Sequence, residues 1–448
     1  MKIFRNTLGG SGRALPSTGQ MSPKLPDRLP ASALDGLMSV VRPLDDGQGR
    51  CAITFDGRLD GLQIARAVVL SLDAAPILDC RYVLHPWRHR WERRSLSDRV
   101  IPFLQIQAQD SEREIHGFLA ESMDAMRGPQ VAVRLIRSDR DVLCVKLHHM
   151  VADARGLLDY IRLLRDLYRQ LQIHPDFIPP AAPAGSRGQG QILRGAGLRA
   201  VIQGCLSFRF PRPPKGFPRT GTDMSGRAFA IRRISSERGA RLKAYCRTKR
   251  VKFTDVLVTA FYRALFRVLN PPAGACLPVE LTVDLRRYLP SGRANTVCDL
   301  AGAYFPVIRH RPEASFDQTL GEVQTAIAKA KAGHAWLGEA LSLELAFLLP
   351  AGITTRLGQK IIERNLHAGE AYPVFSNLGV IDPGTFDFGD AVAVDLGVFG
   401  PVMFPPSFLI SIHSFRDQLS ITSSFCDTAA DPLLVDTFLT NFMNELPA

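Results

Sequence analysis

His148-His149-Met150-Val151-Ala152-Asp153 is the stretch that decides how this chain is read. Two adjacent histidines are followed by a carboxylate, four residues past the second. Residues 142–147, just before them, form an apolar alternation, the pattern of a buried strand. After Asp153, the residues Leu157, Ile161, Leu164, Leu167 and Leu171 recur at helical spacing. The motif therefore joins a strand to an amphipathic helix. A histidine at the end of a buried strand is well placed to be a general base, because its ordinary pKa of about 6.5 lets it take a proton at neutral pH. The plainer alternative is a core histidine pair, with Asp153 doing no more than capping the helix.

The surroundings follow the same logic. Residues 131–136 and 142–147 read as two strands around the turn-forming Ser138-Asp139-Arg140-Asp141. Residues 51–55 read as an earlier strand, and Asp60 as the cap of the helix after it. A basic stretch at 85–99, with Trp87 and Trp91, reads as a loop or twisted hairpin with aromatic anchors, and 112–126 as a helix. Residues 1–28 lack periodicity and read as a mobile tail. Residues 179–222, rich in Pro, Gly and Arg, read as a linker. Within the linker, 193–208 fits a basic amphipathic helix that packs across the junction, or else touches a membrane or a partner. Strands are expected at 228–231, 279–286, 303–308, 374–378, 408–413 and 418–425, and helices at 235–248, 254–268, 316–331, 341–348 and 432–446. The expected fold is α/β, a mixed-sheet α+β sandwich, with one unit at 29–178 and a second at 223–448.

Bulk composition sets outer bounds. The chain has 448 residues, 46% hydrophobic and 22% charged, as expected of a globular protein with a sizeable core. No apolar run approaches the roughly 18 residues of a spanning helix, and no secretory signal is expected, so the expected location is cytoplasmic. The net charge of +12 suits phosphate-bearing small molecules, acidic carrier proteins or an anionic membrane. No nucleic-acid motif accompanies it, and nucleic acid is not an expected partner. The eight cysteines form no CxxC pair and read as small buried hydrophobes. No HExxH spacing or third ligand accompanies the histidines, so no metal site is expected.

On its motif and flanking elements, the chain resembles the chloramphenicol acetyltransferase-like superfamily, which includes condensation domains and wax ester synthases. The resemblance spans nearly the whole chain from about residue 30. Phe55-Asp56-Gly57-Arg58-Leu59-Asp60 looks like the family's opening strand and helix, and Val283-Asp284-Leu285-Arg286 like its arginine-bearing strand. Phe375-Ser376-Asn377-Leu378-Gly379 looks like the segment lining the second half of its channel.

The resemblance implies two acetyltransferase-like subdomains in a V with a channel between them. It implies transfer of an acyl group from acyl-CoA or a phosphopantetheine-linked donor to an alcohol or amine, with no permanently bound cofactor. His149 is then the base and His148 its support. Asp153 is a structural residue paired with Arg286, with Arg287 as second choice, and Ser376 and Asn377 are channel candidates. Any acyl-carrier protein is expected to act in trans, and the chain is expected to be a monomer. Ala154 stands where the family has glycine, and Gly156 follows two residues later. Backbone amides near Gly156, or a polar residue of the second half, are candidate oxyanion donors. The alternatives are a catalytically inactive condensation-like binding module, which the Ala154 departure favours, and a lipid acyltransferase of the wax ester or acylglycerol type. Asp387-Phe388-Gly389-Asp390 only echoes the plant-type carboxy-terminal motif, and that subgroup is excluded.

Overall fold

The computed structural model describes residues 27–95, 100–179, 185–389 and 391–447. The tail expected at 1–28 lies outside the described residues as far as residue 26, and Arg28–Pro30 is a short strand. Parts of the 85–99 stretch and of the linker, at 96–99 and 180–184, also lie outside them.

Two mixed sheets organise the chain. The first contains, in spatial order, Val392–Phe399, Gln48–Asp56, Asp141–His148, Val131–Arg137 and Phe103–Gln107. The motif strand Asp141–His148 lies at its centre and is buried throughout. A strand covered on both faces must be apolar on both, which is why its sequence is nearly continuous in Val, Leu and Cys. It runs antiparallel to both neighbours, with Leu147 opposite Gly49 and Val131. The motif helix Ala154–Ile173 turns Leu157, Leu158, Ile161, Leu164 and Leu171 into the first core, with Ile53, Leu143 and Val145.

The second sheet has the order Ala301–Tyr304, Glu280–Asp284, Pro373–Val380, Phe408–Phe415, Gln418–Phe425 and Ala228–Ile234. Its core packs Leu281, Val283, Phe375, Ile410 and Ile412 against Phe261 of the helix Phe253–Leu269 and Phe438 of Pro432–Glu445.

Several elements differ from expectation for identifiable reasons. The strand expected at 279–286 stops at Asp284, whose carboxylate accepts the Arg286 amide and starts a 3-10 turn, Leu285–Tyr288. Phe305-Pro306 breaks 303–308 into two strands, Ala301–Tyr304 and Val307–Arg309. The helix at 193–208 is two helices, Gly190–Ala196 and Leu198–Ser207, broken at Gly197, where φ is +81°. The helix at 112–126 is shorter, Ser111–Ala120, and 341–348 belongs to a longer one, Ala335–Ala346.

The most consequential element is the strand Val392–Phe399, which sequence reading missed. It lies far along the chain, yet it pairs with the early strand Gln48–Asp56, with Leu396 opposite Ile53 and Val398 opposite Cys51. The second sheet also holds it: Thr422 Oγ1 donates to Val398 O at 2.7 Å, and His413 Nε2 meets Leu396 O at 3.2 Å. Among the described residues no helix is long and apolar enough to cross a membrane.

Candidate active site

The motif lies where the halves meet, and Asp153 holds them together. Its side chain caps the motif helix, with Oδ1 accepting the Gly156 amide at 2.6 Å. The same carboxylate receives both guanidinium nitrogens of Arg286, at 2.8 and 3.0 Å, and the Leu300 amide at 2.9 Å. Arg286 is buried and also donates to Cys298 O at 2.8 Å and Asp284 at 3.2 Å. Arg286 is thus the partner of Asp153, presented from the 3-10 turn rather than from a strand face. Burial alone would raise the Asp153 carboxyl, but the Arg286 charge and these bonds hold it below its usual value.

Gly156 serves this contact. A Cβ on it would lie 2.5 Å from Cys298 O, so only glycine lets the second half approach this closely. Ala154 merely opens the motif helix, so the close approach falls at Gly156. The Gly156 amide is already taken by Asp153, which removes it as an oxyanion donor.

The two histidines have different surroundings. His148 is buried and its Nδ1 accepts the Met150 amide at 3.2 Å, which requires the neutral ring. Burial, then the neighbouring His149, Arg42 and Arg50, lower its pKa to about 3. The ring packs on Gly47, where φ is +64° and a Cβ would lie 3.0 Å from Cε1. His148 therefore shapes the turn that presents its neighbour.

His149 is tied by its amide to Gly47 O, at 2.6 Å, and its side chain is 23% exposed. Nδ1 faces Asp299 Oδ2 at 3.4 Å, longer than a well-formed bond, and neither atom has a hydrogen-bond partner. Nε2 makes no hydrogen bond among the described residues. Asp299 is buried, and its other oxygen accepts the Ala301 amide at 2.9 Å.

Burial opposes the imidazolium. The Asp299 contact, with the charges of Asp45 and Asp153, outweighs burial and raises His149 to about 9. Burial in turn raises Asp299. The two effects pull apart; the anchored Asp299 carboxylate favours the ion-paired form near neutral pH. Further carboxyls share this wall. Burial pushes Asp45 up to about 6, Glu280 to about 7 and Glu339 to about 8. Sequence reading singled out none of these acids, Asp299 included.

Ser376 lies beside Thr282, whose hydroxyl donates to it at 3.2 Å, on the face of the second sheet shared with Glu280. Asn377 points to the other face, where its amide donates to Thr254 at 3.3 Å, so the two channel candidates do not act together. A cavity of about 530 Å3 lies elsewhere, between 29–36, Arg88, His89, 185–188 and 347–351, without His149 in its walls.

Two mixed-sheet halves, a histidine motif following a central strand, and an arginine gripping the motif aspartate make up a fold shared with solved condensation-domain and acetyltransferase structures. Among solved structures, the chain is similar to the first condensation domain of the calcium-dependent antibiotic synthetase in complex with a substrate analogue. Identity is 16%, coverage 94% of this chain and 95% of that one, and the TM-score 0.69. It is similar to TRI3 trichothecene 15-O-acetyltransferase from Fusarium sporotrichioides at 13% identity, 94% coverage of each chain and a TM-score of 0.65. It is similar also to polyketide synthase associated protein 5 from Mycobacterium tuberculosis, at 15% identity, 92% and 96% coverage and a TM-score of 0.63. At such identities the likeness carries the fold. No family model and no curated protein matches the chain.

Proposed function

We propose that this protein is an acyltransferase that moves an acyl group from a thioester, acyl-CoA or acyl-carrier protein, to an alcohol or amine, with His149 as general base. The observation that carries the reading is the setting of His149. It directly follows a buried central strand at the junction of the halves, its Nδ1 faces a buried carboxylate, and its Nε2 is unengaged.

In the proposed step, His149 Nε2 takes the proton of the acceptor hydroxyl or amine as that atom attacks the thioester carbonyl. The tetrahedral intermediate collapses with loss of the C–S bond, and the imidazolium returns the proton to the thiolate. An imidazolium near pKa 9 is close in acidity to a thiol, about 8.5, so this return runs nearly downhill-neutral. Base assistance of this kind is worth about 10²–10⁴-fold. No acyl-enzyme is needed, so no serine or cysteine nucleophile is invoked.

The test is a screen of acyl-CoA and acyl-pantetheine donors against alcohols and amines, reading free thiol. Acceptor-dependent release is expected, and His149→Ala should abolish it. Turnover that survives in His149→Ala would refute the reading.

A further inference from the structure

We propose that the helix Ala351–His367, with the turn before it and Trp87, is a docking face for an anionic lipid bilayer. On this helix Ile353, Leu357 and Ile361 recur every four residues and form one outward stripe. Leu348 and Leu349 precede it, and Trp87 stands at its start: the Ala351 amide donates to Trp87 O at 3.1 Å and the Gly352 amide to Pro86 O at 2.8 Å. Five of these six large apolar side chains are between 53% and 64% exposed, and the sixth, Trp87, is 68% exposed. Scattered exposed apolar residues are ordinary, but a contiguous set marks an interaction surface.

The charges say what covers it. Arg356, Lys360 and Arg364 rise between the apolar residues on the same exposed side, and none makes an ion pair among the described residues. Glu363 is the helix's one acid. The inner side is already used, with Gly358 against Val40 of the helix Ala33–Val41. Apolar groups interleaved with long basic chains, and a tryptophan at the rim, fit the boundary between headgroups and acyl chains. The apolar tips enter the boundary and the cationic ends reach the phosphates. A second copy fits poorly, because a two-fold contact would set the basic row against itself.

The helix Leu198–Ser207 repeats the pattern. Leu198, Ile202 and Leu206 are exposed at four-residue spacing beside Arg199, and this helix packs on Ala335–Ala346, which leads directly into the proposed face.

The full chain should float with vesicles of phosphatidylcholine plus phosphatidylglycerol, not with phosphatidylcholine alone, and salt should weaken the binding. The triple variant R356Q/K360Q/R364Q should lose roughly 100-fold in partitioning. The variant I353Q/L357Q/I361Q should also detach, with both variants keeping the native circular dichroism and unfolding midpoint. No flotation of the native chain, equal flotation on neutral vesicles, or full binding by either variant would overturn the proposal. So would a lipid-free dimer that the apolar variant disperses. Binding is read without turnover, so its failure leaves the acyl-transfer reading standing.

Discussion

Replacing Asp299 with asparagine tests the chemistry at His149 directly. The change keeps the side chain's shape and removes the charge 3.4 Å from Nδ1. With Asp299 present the imidazole stands near 9, so at pH 7 only about 1% of it is neutral. Base catalysis should then climb about tenfold per pH unit and level off above 9. Without Asp299, burial becomes the dominant influence and favours the neutral ring. The acid limb of the D299N profile should therefore move down to 6.5 or lower. The same shift has a stability consequence, whose sign is fixed by the direction. The folded imidazole holds its proton more tightly than the unfolded one, so its contribution is complete below about 6.5 and is lost as pH rises through about 9. That interval corresponds to about 3 kcal/mol at most, since the burial that raises Asp299 works against it. Imidazole titration by NMR, with the His149 signal assigned by its loss in H149A, reads the shift without any substrate. Urea unfolding below 6.5 and above 9 reads the stability. A wild-type His149 that titrates at or below 6.5, or one unmoved by D299N, would refute the reasoning.

Other outcomes follow from the same contacts. Arg286→Met leaves Asp153 buried with its charge unpaired and should cost about 3–5 kcal/mol in urea unfolding, with D153N/R286M recovering part of it. Gly156→Ala forces a methyl onto Cys298 O and should cost about 1–3 kcal/mol, whereas Ala154→Gly should cost less than about 1 kcal/mol and leave thiol release nearly unchanged. A thiol reagent should label Cys205 and Cys276 quickly in the native protein, because the other six cysteines are buried. Burial holds the thiols of Cys51, Cys80, Cys144 and Cys298 well above their ordinary pKa, so fast labelling of more than two sites would contradict this packing.

Local chemistry was legible in the sequence and distant pairing was not. The motif strand, its helix and the Asp153 cap follow from alternation, periodicity and a short polar side chain, all within a few residues of one another. Arg286 as partner followed from the resemblance, although its supposed strand ends two residues early because Asp284 caps a turn. Asp299 carried no local signal. It sits in Val297-Cys298-Asp299-Leu300, and only the folded chain brings it to His149. The strand Val392–Phe399 was missed because Gly389 and Gly400 flank it and Gly397 interrupts it, so that the short run looks like loop. The helix Ala351–His367 was missed although Ile353, Leu357 and Ile361 recur at four-residue spacing, because Gly352, Gly358 and Thr354-Thr355 are weak helix formers.

The late strand Val392–Phe399 also governs when the protein can fold. The first sheet contains everything it needs by His148 except the partner for one edge of Gln48–Asp56. On the ribosome that partner emerges roughly 250 residues later, about 10–50 s at 5–20 residues per second. Through that interval the amino-terminal half carries an unpaired strand edge, the surface on which nascent chains stick to one another. An amino-terminal half that folds during synthesis does so with that edge open. The first sheet is completed only once Val392–Phe399 has emerged, and slowing translation should lengthen the chain's reliance on chaperones rather than relieve it.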